Sequence, residues 1–245
     1  MVLQREGGSL SLEVRWIRPG QIPNAMIEWL SPFAEAVEER EDQYLVDPSS
    51  DESGVKIRGG LQLDLKAFRG SPGKVAIPGG GQGHLEIWEK WTFPLDEGAH
   101  RPADASSWLA VQKVRRRRSF RLAEGGVVER ALSEAEPPGC QVELTEVAVG
   151  EEMWWSIGFE VHGGSELLEV ALHATVESLF PGPPPDGIRL DLGDSMSYPR
   201  WLGASRLDLL ASITAGSIEA SSLDEQALMP VRLAALVAVD APPAS

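Results

Sequence analysis

The sequence is poor in cysteine and histidine and has no long apolar run. A single cysteine, Cys140, in 245 residues excludes an intramolecular disulfide framework and a cysteine-based metal cluster, and it favours a reducing compartment. The four histidines have no metal-ligand spacing. No run approaches the roughly 20 apolar residues of a membrane-spanning helix, and the first residues, MVLQREGGSLS, lack the apolar core of a signal peptide. We therefore expect a cytoplasmic protein with no membrane partner.

Positive charge is the scarcer sign in this chain. There are 22 Lys and Arg against 37 Asp and Glu, which gives a formal net charge of -15. A nucleic-acid-binding protein would normally carry a basic surface that neutralises phosphates. Nucleic acid is therefore not expected as a partner, and any site for an anion must be local and enclosed.

The scarce cations are concentrated in residues 109–121, LAVQKVRRRRSFR. Side chains alternate across a strand, so this segment sorts its cations into two rows: Lys113, Arg115 and Arg117 share one side, and Arg116 and Arg118 share the other. Such a row suggests a neighbouring anion. A charged run is equally typical of a solvated face, and the run alone does not decide between the two.

Seven further segments predict strands, because they alternate with period two or form short extended runs bounded by Gly or Pro. They are residues 9–18, 42–47, 54–58, 61–68, 84–93, 141–149 and 153–162. With the basic strand this makes about eight, a number that can close a barrel. Residues 23–39 and 165–180 show the spacing of amphipathic helices, and the Gly- and Pro-rich residues 70–83 predict a flexible loop.

This order of elements resembles the CYTH superfamily, the triphosphate tunnel metalloenzymes. The resemblance rests on LEVRW, QYLVDP, VKIR, LQLDLK, KVRRRRSF, VELTEV and FEV, all within residues 9–180. It implies an α+β fold, an eight-stranded antiparallel β-barrel or tunnel with flanking helices, over residues 1–182. Residues 183–245 are then an extension packed on the barrel, with Tyr198, Trp201 and Leu202 as packing residues and a helix expected at 223–239.

In that family, basic side chains inside the tunnel hold a triphosphate, and glutamates hold Mg²⁺ or Mn²⁺. Arg offers phosphate a bidentate fork, whereas a hard divalent cation prefers carboxylate oxygens. By matched position, the resemblance implies that a phosphorylated small molecule is bound by Lys56, Arg58, Lys66, Lys113, Arg115 and Arg117, to which we add Arg15. The implied metal ligands are Glu13, Glu143 and Glu160, with Glu13 and Glu160 as the candidate catalytic residues.

Two strands depart from the family pattern. Where the family has Glu-x-Glu-x-Lys, Glu13 is followed by Arg15 and Ile17, and the late strand has Gly158 and Glu160 in place of two glutamates. A fixed charge on Arg15 is expected to pair with Glu13 and to weaken metal binding.

Three functions stay open from the sequence. The chain could be a divalent-metal-dependent triphosphate hydrolase, or a binding or structural module that has kept the basic tunnel. The third alternative is a barrel whose charges only pair across strands, for example Asp64 or Glu86 with a lysine.

Overall fold

Nine antiparallel strands form one sheet that closes on itself. The computed structural model describes residues 8–31, 37–47, 50–95, 107–134, 139–163, 165–184 and 188–204. Within them the strands are β1 Ser9–Pro19, β2 Glu38–Leu45, β3 Ser53–Arg58, β4 Gln62–Ile77, β5 Gly81–Pro94, β6 Trp108–Ala123, β7 Gly126–Arg130, β8 Gly139–Val149 and β9 Glu152–His162.

The closure comes from the long strand β6. The strand order is β2-β3-β4-β5-β1-β9-β8-β6-β7, and β2 also pairs with β6. One edge of β6 pairs with β8, while the other pairs with β2 along residues 108–115 and with the short β7 along residues 119–123. Eight strands therefore form the ring. The predicted fold class, an eight-stranded antiparallel barrel with flanking helices, is confirmed by this topology.

Two α-helices lie against the barrel. They are α1 Asn24–Leu30 and α2 Leu168–Leu179, and short 3-10 turns occupy Ser165–Leu167, Leu132–Glu134 and Leu192–Asp194. Residues 198–204 are also helical. Among the described residues, no helix has the length and apolar character needed to span a bilayer.

The larger hydrophobic cluster lies outside the ring, between the barrel wall and the helices. Period two along β1 sends Leu12, Val14 and Trp16 outward into a buried cluster that also holds Met26 of α1 and Leu172 of α2. The intervening residues of β1 therefore face the lumen. The wall thus buries apolar side chains on its outer face, while its inner face is mainly polar, with a smaller apolar cluster at Ile17, Val111 and Val147.

Residues 188–204 also pack on the barrel. Ser195 forms a β-bridge with Trp16, and Trp201 and Leu202 are buried in a second apolar cluster with Val111 and Val147. The predicted packing role of this segment agrees with these contacts. The division of the chain at residue 182 stays a prediction, and the helix expected at 223–239 lies outside the described residues.

Two local predictions were wrong. The helix predicted over 23–39 ends at Leu30, and Glu38 already begins β2. Ser31 is extended, as expected of a residue that precedes proline. The loop predicted over 70–83 is instead a hairpin of β4 and β5, with register shifts between Phe68 and Gly70 and between Gly70 and Gly73 that accommodate the irregular residues as bulges.

Gly83 provides a test of the outer packing. A Cβ added there would lie 2.4 Å from Trp16 Cζ2 and 2.4 Å from Val14 Cγ2, and Trp16 is fully buried. We expect Gly83→Ala to lower the free energy of unfolding by about 1–3 kcal/mol through overpacking, as measured by urea denaturation. Gly193→Ala is the control, because no atom lies within 4 Å of its added Cβ. Equal stability of the two variants would contradict this packing.

Candidate functional site

The lumen of the barrel is a polar cavity to which all eight strands of the ring contribute. Its volume is about 100 Å³, several times what one water needs. Eight cationic side chains line it: Arg15, Arg40, Lys56, Arg58, Lys66, Lys90, Lys113 and Arg115. Five carboxylates line it with them: Glu13, Asp64, Glu86, Glu143 and Glu160. A chain that is acidic overall therefore encloses a lining in which cations outnumber carboxylates.

Asp64 is the anionic centre of the β3–β5 wall. Its side chain is 1% exposed, and Lys56 Nζ and Lys90 Nζ lie 3.8 and 3.7 Å from Oδ2. Arg58 donates a close hydrogen bond to the same oxygen, and Thr92 Oγ1 donates to Oδ1 at 2.8 Å. Burial acts to raise the pKa of Asp64, but Lys90, Lys56 and Arg58 hold that pKa below its usual value. The single carboxylate of Asp64 therefore interacts with three cations.

Asp42 has the same role between β2, β3 and β6. Its side chain is fully buried, with Lys56 Nζ at 3.4 Å and Lys113 Nζ at 3.5 Å, and Arg40 Nη2 donates to it at 3.2 Å. Although burial opposes ionisation, Lys56, Lys113 and Arg40 lower the pKa of Asp42 to about 2. The carboxylate is therefore ionised at any ordinary pH.

Lys113 is the most enclosed cation in this part of the lumen. Its Nζ donates to Tyr44 Oη at 2.7 Å and lies 3.7 Å from the centre of the Tyr198 ring. Burial lowers the pKa of Lys113 to about 7, with Asp42 and Glu143 acting in the opposite direction. The amine therefore titrates near neutral pH.

Glu13 and Glu160 lie on the opposite wall and share one lysine. They face each other directly across β1 and β9. Lys66 Nζ makes a close contact with Glu13 Oε1 and lies 3.6 Å from Glu160 Oε1, while Ser11 Oγ donates to Glu13 at 2.7 Å. Burial opposes ionisation of Glu160, but Lys66, His162 and Lys90 hold its pKa well below the usual range.

Glu143 is held by two arginines. Arg115 Nε donates to Glu143 Oε2 at 2.8 Å and its Nη2 contacts the same oxygen, while Arg15 Nη1 donates to Oε1 at 3.2 Å. Thr145 Oγ1 adds a bond of 3.0 Å. Arg15 was expected to pair with Glu13, but its ion pair is with Glu143, because the guanidinium extends across β9 to β8. Glu13 attracts Arg15 more weakly.

The structure brings six of the seven predicted cations into the cavity: Arg15, Lys56, Arg58, Lys66, Lys113 and Arg115. Arg117 is not part of the lining, and its Nη2 pairs with Glu38 at 2.8 Å. Arg116 and Arg118 pair with Glu146 and Glu129. The predicted register of β6 is therefore found, while the ligand-binding role of these residues stays a prediction.

The three predicted metal ligands do not form one donor group. Among the described residues, no three His, Cys, Asp or Glu side chains are placed so that they could hold a metal ion. Glu13 and Glu160 are adjacent but contact Lys66, and Glu143 is occupied by two guanidinium groups. This donor set does not fit Mg²⁺ or Mn²⁺, which require several free oxygen ligands.

Four residues of the lining were not predicted as site residues from the sequence: Arg40, Tyr44, Lys90 and Tyr198. Alternation along β5 puts Lys90 on the side of Glu86 and Trp88, so that signal was present. Arg40 was missed because the predicted helix ran almost to it. Tyr198 was predicted only as a packing residue. It does pack against Tyr44 and Trp201, but it also lines the cavity.

Comparisons with known proteins give only distant likenesses. No family model matches the sequence, and no curated protein matches it. Similar solved structures include a candidate adenylate cyclase from Bacillus halodurans, with 12% identity and a TM-score of 0.37 over 74% of this chain and 97% of that one. Another is the triphosphatase of the mimivirus capping enzyme, with 15% identity and a TM-score of 0.35 over 69% and 91%. Neither supports an argument about function, and the fold class rests on the strand topology.

The buried lysine leads to a prediction about pH. The groups that face Lys113 are Asp42, Tyr44, Tyr198, Arg15, Arg115 and Glu143. Between its folded pKa of about 7 and an unfolded value of about 10.4, the unfolded chain binds more protons. The contribution of Lys113 to the free energy of unfolding must therefore rise with pH between these two pKa values.

We expect Lys113→Met to remove this contribution, so that the variant gains less stability than the wild type between pH 7 and pH 9. Urea denaturation at the two pH values measures the difference. Lys74→Met, at an exposed position on β4, is the control. Its free energy of unfolding should change between pH 7 and pH 9 as much as that of the wild type. An unchanged slope in Lys113→Met would show that the buried amine stays protonated throughout.

Proposed function

We propose that the tunnel binds a phosphorylated small molecule, a triphosphate or a related polyphosphate anion, through the cations of its lumen. The observation that carries this proposal is that two pairs of cations lie directly opposite one another. Lys66 faces Lys90 across β4 and β5, and Arg40 faces Lys113 across β2 and β6. Like charges in directly opposed positions destabilise a sheet. Glu13 and Glu160 also face each other, but Lys66 lies beside both and compensates them.

This pattern argues against a barrel whose charges only pair across strands. Direct opposition of Lys with Asp or Glu would serve that purpose, and Lys56 with Asp64 is such a pair. The two cation pairs instead rely on the buried carboxylates Asp42 and Asp64 in neighbouring positions. Each of these carboxylates contacts three cations, so positive charge remains in excess.

A bound anion would relieve that excess. Burial and neighbouring cations lower the pKa of Lys56 and Lys90, which means that their charged forms are disfavoured by the protein alone. Phosphate oxygens accept strong charge-assisted hydrogen bonds from Lys and Arg. Lys56, Arg58, Lys66 and Lys90 come from the adjacent strands β3, β4 and β5, so one extended polyphosphate could contact all four.

Metal-dependent hydrolysis is the less supported alternative. It would need Glu13, Glu143 and Glu160 as free oxygen ligands, and each contacts a cation of the protein. Binding without hydrolysis therefore agrees better with the donor set.

Tripolyphosphate is the probe that tests the proposal. Because a ligand that binds only the folded state adds stability by mass action, millimolar tripolyphosphate should raise Tm in a buffer with EDTA, beyond sodium sulfate of equal ionic strength. Lys90→Met should weaken the affinity, measured by calorimetry, by about ten- to a hundredfold, because it removes one charged donor worth about 1.5–3 kcal/mol.

Arg116→Gln is the control, because Arg116 pairs with Glu146 on the opposite side of β6 from the lumen. It should bind tripolyphosphate as the wild type does. If neither tripolyphosphate nor pyrophosphate changes Tm, the charges of the lumen are structural and the proposal fails.

A further inference from the structure

Arg15 occupies a space that the barrel leaves open for it. It lies directly opposite Gly158 on β9. A Cβ added to Gly158 would lie 2.7 Å from Arg15 Cζ and 2.9 Å from Nη2. Any other residue at position 158 would therefore displace the guanidinium. Arg15 in this conformation requires glycine at position 158, because its guanidinium occupies the space of a Cβ.

The guanidinium is fixed on several sides. Nη1 donates to Glu143 Oε1 and to Ser156 Oγ, both at 3.2 Å, and the ring of Tyr198 covers Cζ at 4.8 Å from its centre. Ser156 Oγ and Tyr198 Oη are 3.2 Å apart. The charge is thus held in one place by β8, β9 and residue 198.

The carboxylates around this charge are Glu13, Glu143 and Glu160. Burial opposes the charged form of Arg15, but attraction from Glu143 and, more weakly, from Glu13 and Glu160 raises its pKa further above an already high value. A guanidinium is effectively always protonated. The position among three carboxylates, where a divalent cation would otherwise be attracted, therefore holds a permanent single positive charge.

We propose that Arg15 acts as a resident cation in place of a divalent metal, so that the tunnel binds its polyphosphate in the metal-free form. This inference rests on the proposed function and specifies the ionic form of the ligand. Glu143 already accepts bonds from Arg15, Arg115 and Thr145, which leaves it little capacity to ligate a metal. A metal beside Arg15 would also be repelled by its charge.

Magnesium should therefore oppose binding. Mg²⁺ binds the phosphate oxygens of the polyphosphate and so lowers the concentration of the metal-free anion in solution. A tunnel that used the metal would bind the magnesium complex more tightly, whereas a tunnel with its own cation competes with magnesium for the ligand.

The test is calorimetric titration of tripolyphosphate into the full chain, once with EDTA and once with excess MgCl₂, at equal ionic strength. We expect at least a tenfold weaker apparent affinity with magnesium. Arg15→Gln should lower the affinity in EDTA by at least tenfold, while Arg116→Gln should behave as the wild type. Tighter binding with magnesium, or an Arg15→Gln variant of unchanged affinity, overturns the inference.

A second measurement does not depend on the ligand. Mn²⁺ alone, followed by electron paramagnetic resonance, should stay free at millimolar concentration with the wild type and become bound to Arg15→Glu, in which the fixed cation is replaced by a carboxylate. Saturable binding of Mn²⁺ by the wild type would contradict the role of Arg15. Absence of tripolyphosphate binding in both buffers would instead overturn the proposed function, and the manganese result would still decide whether Arg15 excludes a metal.

Discussion

The lumen depends on two buried aspartates. Asp42 and Asp64 are 0% and 1% exposed, and each contacts three cations. Lys56 contacts both, so the two groups form one network along β2, β3, β4 and β5. Removing one partner of a buried ion pair is strongly destabilising, because the other charge remains without compensation. Without these two carboxylates, the cations that face each other directly could not remain inside a closed barrel.

That network also explains why the larger hydrophobic cluster lies outside. A small barrel is usually filled by its own apolar side chains, but here many inward positions are charged, so the apolar outer face of the sheet must be covered by other elements. Met26 of α1 and Leu172 of α2 provide that cover. Trp201 and Leu202 instead pack against Ile17, Val111 and Val147, whose positions along their strands face the lumen, so these side chains close part of the interior. The alternating pattern of the strands therefore accounts both for the charged lining of the lumen and for the helices that cover the apolar outer face.

The same pattern determines how much could be predicted from the sequence. Period two predicted most of the strands of the ring and the side of β6 that faces inward, because alternation is local. It could not predict that Arg15 reaches Glu143, since that contact requires the bare backbone of Gly158 on β9 and Ser156 beside it. The β4–β5 hairpin was missed for a related reason: bulges at Gly70 and Gly73 interrupt the alternation on which the prediction depended.

The two walls of the lumen differ in which cationic donors and carboxylate oxygens remain available to a ligand. On the β8–β9 side, Glu143 is saturated by two guanidinium groups, and Glu160 lies beside Lys66 and His162. On the β3–β5 side, Lys90 Nζ is 3.7 Å from Asp64, beyond hydrogen-bonding distance, and it faces another lysine directly. An incoming anion would find weakly engaged lysines on the second wall and the fixed charge of Arg15, which also lines the cavity, on the first. A divalent cation would find no group of three carboxylate or imidazole side chains among the described residues, and Glu13, Glu143 and Glu160 each have a cationic partner within the protein.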